Sequence, residues 1–314
     1  MAYTRLAAAT SVLVLLLASN PVEAQRIPGW GRVAPAGGHQ NDPQLLRPDG
    51  GPVIPMFEGW YDNPDGTRQL CFGYFNTNTE EVIDIPTGSD NFVEPAEFNG
   101  LQPTRFLPVP PGGRRHYCVM SVTVPADWGD RDVVWTLVDR YGQDYSAPGR
   151  TRHEMYHLEE RQQDSRQSAA PRVRLDRSGA VAMGRTPLVA GPYQARVGVP
   201  LPLAAEVRRD NPYSDADRMP IGFRWNKQQG PGDVSFRPDA SLRAAGTRTI
   251  VDAEGWNTSP TAWAQAQTEA TFSEPGDYTL LLQAYNDPGR SLEPSDLEFF
   301  CCWTNVVVEV SVGR

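Results

Sequence analysis

The sequence predicts an all-β protein made of two β-sandwich domains joined by a charged linker. Three observations predict it. The 314 residues include 28 Gly and 29 Pro; Pro removes a backbone donor and Gly costs backbone entropy, so long helices are disfavoured and tight turns favoured. Aromatic residues make up 10% and suit a pleated surface. Short strand-like runs recur about every ten residues with turn chemistry between them, in two blocks.

The elements follow in chain order. Residues 1–24 read as a secretory signal peptide. Arg5 supplies a positive start, Ser11 to Ala18 an apolar run, and Val22-Glu23-Ala24 the small residues before a cut at Gln25. That run is too short to cross a bilayer, and no later one approaches about 18 apolar residues. No Cys follows the cut, which disfavours a lipid anchor. The expected location is therefore exported, periplasmic or extracellular, with no membrane span. Residues 25–52 are rich in Gly, Pro and Asn without any period and read as an extended leader.

The first sandwich is expected over 53–146. Phe57 to Tyr61 meets Gln69 to Phe75 across Asp62-Asn63-Pro64-Asp65-Gly66, where Pro and Gly sit as a hairpin turn needs them. Val82 to Ile85 follows, then a polar loop from Pro86 to Gly100, His116 to Val124, and Val133 to Val138. Trp60, Phe72 and Trp135 are the expected core aromatics. Residues 147–187, dense in Arg, Glu and Gln, read as the linker, its charges forming a solvated face that favours some mobility between the halves. The second sandwich is expected over 188–314. Its strand signals lie at 197–207, Ile221 to Trp225, Val234 to Phe236, Thr268 to Phe272, Tyr278 to Tyr285 and Asn305 to Val312.

In that second block, Phe223-Arg224-Trp225 precedes the turn Gly230-Pro231-Gly232, and Phe272-Ser273-Glu274-Pro275-Gly276-Asp277-Tyr278 leads into the next strand. These residues resemble the immunoglobulin-like domain of the polycystic-kidney-disease type and its egg-jelly-receptor relatives, over about 125 residues. The F-G-D-G loop of that family is missing, and Arg237 to Gln267 is a long insertion. The resemblance implies an immunoglobulin-like adhesion or spacer module and supplies no catalytic residue. Gly59-Trp60-Tyr61, Gly73-Tyr74-Phe75-Asn76, Asp84-Ile85-Pro86 and Gln102 to Pro108, together with Cys301-Cys302-Trp303-Thr304-Asn305, resemble a group of exported bacterial proteins, which implies an architecture rather than an activity.

Four cysteines in an exported chain read as two disulfides. Cys71–Cys118 is favoured as a staple of the first sandwich, leaving Cys301 and Cys302 to close a vicinal ring. One C-terminal Cys crossing to the first sandwich is the alternative. The net charge of −9 argues against nucleic acid, whose binding needs clustered cations. Lys227 is the only lysine.

Candidate chemistry is sparse. His153-Glu154-Met155-Tyr156-His157 is an H-E-x-x-H string, which on a helix would offer two imidazoles to zinc with a glutamate base. Its flanks are polar, Pro148-Gly149 precedes it, and no third ligand is in view. No catalytic residue and no obligatory cofactor is expected. Asp210, Asp215 and Asp217 crowd one loop and form a candidate structural calcium site, and Asp84, Asp90, Asn91 and Glu94 crowd another. Trp256 and Trp263 fall in the polar insertion as anchors or as stacking platforms for a sugar. The reading that follows is a secreted, non-enzymatic binding, adhesion or structural module engaging a protein or polysaccharide. Its alternative is an exported metal-dependent or glycan-active hydrolase using His153 and His157 or an acidic cleft.

Overall fold

Eighteen strands carry the described part of the chain. In the first sandwich they are β1 (Val53–Asp62), β2 (Arg68–Asn76), β3 (Ile83–Asp84), β4 (Asn91–Glu94), β5 (Arg105–Phe106), β6 (His116–Val124), β7 (Val133–Val138) and β8 (Asp144–Gly149). The rest are β9 (Arg172–Arg174), β10 (Ala182–Met183), β11 (Leu188–Arg196), β12 (Leu201–Arg208), β13 (Ile221–Gln229), β14 (Val234–Arg237), β15 (Arg248–Ile250), β16 (Ala264–Phe272), β17 (Gly276–Asn286) and β18 (Trp303–Gly313). The computed structural model describes residues 46–108, 115–158, 170–175, 179–184, 186–208, 221–237, 248–250, 263–286 and 303–314. Among these residues there is no α-helix, and no helix long and apolar enough to cross a membrane.

In the first sandwich β1, β2 and β6 form one antiparallel sheet and β4, β7 and β8 another, with the short β3–β5 pair beside them. The β1–β2 hairpin runs from Asp62↔Arg68 at its turn to Val53↔Asn76. Trp60, Phe72 and Trp135 are all buried, as the sequence led one to expect, and Phe106, Trp128 and Leu137 join them. Each such side chain removed from water stabilises the fold by about 1.5–3 kcal/mol. Two strands fall where the sequence suggests loop or linker. β4 lies in the segment read as a polar loop, because Asn91 belongs to the buried face and looks like turn chemistry only in one dimension. β8 crosses the expected domain boundary although it contains Pro148 and Gly149, and it pairs with β7 from Val133↔Gly149 to Val138↔Asp144.

In the second sandwich β10-β9-β12-β16-β14 form one sheet and β11-β18-β17-β13-β15 the other. The sequence β9, β12, β16, β14 on one sheet and β18, β17, β13 on its partner is the A-B-E-D and G-F-C arrangement of an immunoglobulin-like fold. Two further hallmarks are present. Trp225 on β13 is fully buried between the sheets. Tyr278, at the start of β17, donates its hydroxyl hydrogen to Glu274 O at 2.9 Å and accepts from Gly232 N at 3.0 Å, a tyrosine corner. Gly230 is required beside it: its φ is +136°, and a Cβ there would stand 2.2 Å from the Tyr278 ring. The first strand of the second sheet, β11, runs parallel to the last, β18.

Part of the expected linker belongs to this sandwich. β9 pairs with β12 from Arg174↔Glu206 to Arg172↔Arg208, and β10 pairs with β9. The reason is plain at Val173, whose side chain fills the core while its arginine neighbours stay on the outer face. Residues 45–314 form one compact unit. The two sandwiches meet directly, so the mobility expected from a polar linker is opposed by a packed junction.

Candidate functional site

That junction is built from amide side chains. On β2 and β6, Phe72↔Met120 and Tyr74↔His116 are register partners, so Gly73 alone faces Tyr117, Cys118 and Val119. The two extra residues bulge outward. Gly73 has no room for a Cβ, which would lie 2.4 Å from His116 O. The bulged carbonyls turn to the second sandwich. Tyr117 O accepts from Gln283 Nε2 at 3.3 Å, Cys118 O from Asn305 Nδ2 at 2.9 Å, and Val119 O from Gln228 Nε2 at 2.9 Å. Nearby, Gln228 O accepts from Thr104 N at 2.9 Å, and Gln229 Nε2 donates to Gly100 O and Gln102 O. Arg105 bridges Asp84 and Asp233, each at 3.0 Å.

Cys71 and Cys118 form a disulfide across β2 and β6 with their Cα atoms 5.1 Å apart, and both are fully buried. Cys118 has φ +44°, and the left-handed region costs a non-glycine residue roughly 1–2 kcal/mol. Cys301 and Cys302 lie outside the described residues.

Behind the bulge sits a cavity of about 20 Å³, the room of one water, lined by Tyr74, His116, Arg224, Lys227, Asn226 and Gln283 among others. Asn226, one of its lining residues, has its Oδ1 buried without a hydrogen-bond partner among the described residues. His116 stacks on Tyr74 and its Nε2 lies 2.7 Å from Pro108 O. Burial, with a smaller contribution from the Arg224 guanidinium, pushes its imidazole down to about 3. Burial also lowers the Lys227 ammonium, against the pull of Asp84. Glu58, in the bulge of β1, is pushed up to about 7 by burial, although Arg115 stands 2.7 Å away and opposes the rise. Arg115 Nη2 and Glu58 Oε2 form an ion pair in which the carboxylate is the more deeply buried partner. Glu58, His116 and Lys227 are all buried.

The residues of the H-E-x-x-H string are placed otherwise than a zinc helix would place them. Glu154–Tyr156 is a single 3-10 turn. His157 lies in a bridge with Trp60, stacks on its ring at 4.2 Å, and directs Nε2 at Asp62 Oδ2, 3.3 Å away. His153 is exposed and gives only its carbonyl to Trp60 Nε1. The string fastens the chain after β8 to β1. Of the acidic loop residues in the first sandwich, Asn91 has its amide on Ile85 O and Pro103 O and its oxygen on Trp135 Nε1. Asp84 is held by Arg105. Among the described residues no three His, Cys, Asp or Glu side chains converge as metal ligands. Asp210, Asp215, Asp217 and Trp256 lie outside the described residues. Trp263 is half-buried under Arg174, whose guanidinium sits 4.0 Å above its ring, with Arg208 at 5.1 Å. That cover is an anchor's environment.

The open chemistry lies elsewhere, along one margin of the second sandwich. Of the nine exposed large apolar side chains among the described residues, five fall between residues 181 and 199: Val181, Met183, Val189, Tyr193 and Val199. Alternation on β10 turns Ala182 inward and its two neighbours out. β11 is an edge strand beside β18, and Val189 keeps 56% of its surface exposed. β10 flanks the same strand, since Asn305 N donates to Gly184 O and Gly184 N to Thr304 Oγ1. Gly191-Pro192 interrupts β11 with a bulge, and Pro192 has no N–H to offer another strand. The margin therefore presents apolar side chains while its backbone edge is guarded. Sequence reading passed over it, because isolated Val and Tyr residues in a Pro- and Gly-containing strand give no periodic signal.

No protein-family model matches the sequence, and a search of curated proteins finds none similar to it. Among solved structures, the D00-D0 domain of intimin is similar at 10% identity and a TM-score of 0.23, covering 82% of this chain and 98% of that one. The adhesin InvE of Yersinia pseudotuberculosis is similar at 11% identity and a TM-score of 0.19, covering 82% of this chain and 58% of that one. WR4, a member of the MSP family of C. elegans, is similar at 10% identity and a TM-score of 0.22, covering 39% of this chain and 93% of that one. With scores this low, the fold assignment rests on strand order, the buried Trp225 and the tyrosine corner.

Proposed function

We propose that the chain is an exported, non-enzymatic binding or adhesion module that engages a protein through the margin of its second sandwich. The exposed apolar side chains Val181, Met183, Val189, Tyr193 and Val199, all on or beside the edge strands β10 and β11, carry this reading. Exposed large apolar side chains concentrated in one stretch of chain mark that stretch as a candidate interaction surface. Export is supported by the signal-like residues 1–24 and by a buried disulfide, which forms in oxidising compartments. The likeness of residues 223–280 to the polycystic-kidney-disease type of domain fits an adhesive role. A protein partner is preferred to a polysaccharide because Trp263, the described one of the two candidate stacking residues, is covered by arginines.

The test is binding of the mature protein to immobilised surface proteins of the producing cell and, in parallel, to a glycan array. A Val189→Glu, Tyr193→Glu variant is expected to lose protein binding about ten-fold or more, the size of a hot-spot truncation, with its fold unchanged by circular dichroism. Glycan binding that survives this variant and disappears in Trp263→Ala would instead establish the carbohydrate reading.

A further inference from the structure

The bulge at Tyr117–Val119 joins two features that sequence distance keeps apart. Its three carbonyls are the anchor for Gln283, Asn305 and Gln228 of the second sandwich. Its central residue, Cys118, is held in a left-handed backbone conformation and is covalently tied to Cys71. Bonded sulfurs sit about 2 Å apart, whereas two thiols need van der Waals separation. Both cysteines are fully buried, so the room for separate thiols comes from displacement of the strands that carry them, the Tyr117–Val119 bulge of β6 among them. The three amides are buried too, and a shift of one carbonyl moves its two neighbours on the same peptide run.

From this we infer that the Cys71–Cys118 disulfide is a redox-governed latch: its formation shapes the bulge that docks the second sandwich, and its reduction releases that dock. Closing the latch passes two electrons and two protons from the Cys71 and Cys118 thiols to a disulfide-bearing oxidant, which departs as a dithiol. A dithiol reductant runs the exchange in reverse through a mixed disulfide, attacking when local opening around the two buried sulfurs admits it. Docking of the two sandwiches thereby becomes conditional on an oxidising surrounding. The contacts of Gln229 with Gly100 and Gln102, and of Arg105 with Asp233, lie outside the bulge and keep the halves tethered when the latch is open.

Amide-proton exchange measured by NMR on the full mature chain tests the latch. The oxidised protein is compared with the protein reduced by dithiothreitol and with a Cys71→Ala, Cys118→Ala variant. The side-chain amide protons of Gln283 and Asn305 are expected to exchange at least ten-fold faster in both thiol-free and reduced forms, while the backbone amides of Leu70 and Val122 in the β2–β6 ladder stay protected. A Gln228→Ala, Gln283→Ala, Asn305→Ala variant with the disulfide intact is expected to loosen the Thr104 amide, which bonds to Gln228 O, without exposing the β2–β6 ladder. Unchanged exchange of Gln283 and Asn305 on reduction would overturn the inference. So would collapse of protection throughout β2 and β6 on reduction, since the bond would then be a stability staple and not a latch.

Discussion

The two sandwiches solve the same problem with different means. The second is carried by long ladders: β17 pairs with β18 over ten residues and with β13 over eight, around a core of Trp225, Phe272, Leu280 and Leu282. The first has sheets of three, three and two strands, and it holds ten of the sixteen buried polar residues that the described chain contains. Asn76 and Asn78 bond each other and reach Glu81 O, Phe106 O and Gly51, tying the end of the leader to the body. Asn91 serves two carbonyls and the Trp135 indole. A small core cannot bury enough apolar area to fix its loops, so side-chain amides and a disulfide take over where strands are short.

The comparison can be broken by mutation. Trp225→Ala removes the centre of the second core and is expected to cost about 3–5 kcal/mol, speeding backbone exchange at Leu280 and Leu282 far more than at Leu70. Equal loosening of both sandwiches would mean that they share one core. Asn91→Ala leaves Ile85 O, Pro103 O and the Trp135 N–H without their partner, at an expected cost of about 1–3 kcal/mol confined to the first sandwich. A neutral result, measured by urea midpoint, would refute the role given to amides there.

The most gradual effects concern pH, and both groups sit in the first sandwich. Glu58 holds its proton to about pH 7 in the fold, whereas its ordinary value is 4.5. The folded form thus binds a proton that the unfolded chain has released, and stability falls as pH rises from 4.5 to 7. His116 is the converse: ordinarily 6.5 and about 3 in the fold, it withholds stability as pH falls from 6.5 to 3. Between 4.5 and 6.5 the two slopes oppose each other. Glu58→Gln is expected to uncover a stability that climbs toward neutral pH, and His116→Gln one that declines, each by no more than about 1.4 kcal/mol per pH unit. Chemical denaturation at half-unit pH steps reads both, and flat profiles in both variants would sink the assignment.

Much of this was visible in the sequence wherever one face of a strand is wet. His116 to Val124 and Val133 to Val138 are β6 and β7 with the bounds their patterning suggests. Pro275-Gly276 and Tyr278 make the corner, and Cys71 pairs with Cys118. The amide junction was not legible. Gln283 stands in Leu280-Leu281-Leu282-Gln283-Ala284, where all five are buried because the outer face of β17 is covered by the first sandwich. A lone Gln inside an apolar run on both faces was the available signal, and it reads as noise until the neighbour is placed. β9 and β10 were hidden for another reason: a strand of two or three residues has too little pattern to rise above a charged segment.

One feature of the second sandwich bears on how such a module would behave under tension. β11 and β18 run the same way, paired from Leu188↔Val306 to Arg196↔Gly313. A pull on the start of β11 against the finish of β18 slides the two strands along each other, so their hydrogen bonds resist together and do not open one by one as in a peeled hairpin. A protein that must hold a partner against flow or drag gains from having its outermost strand attached in shear.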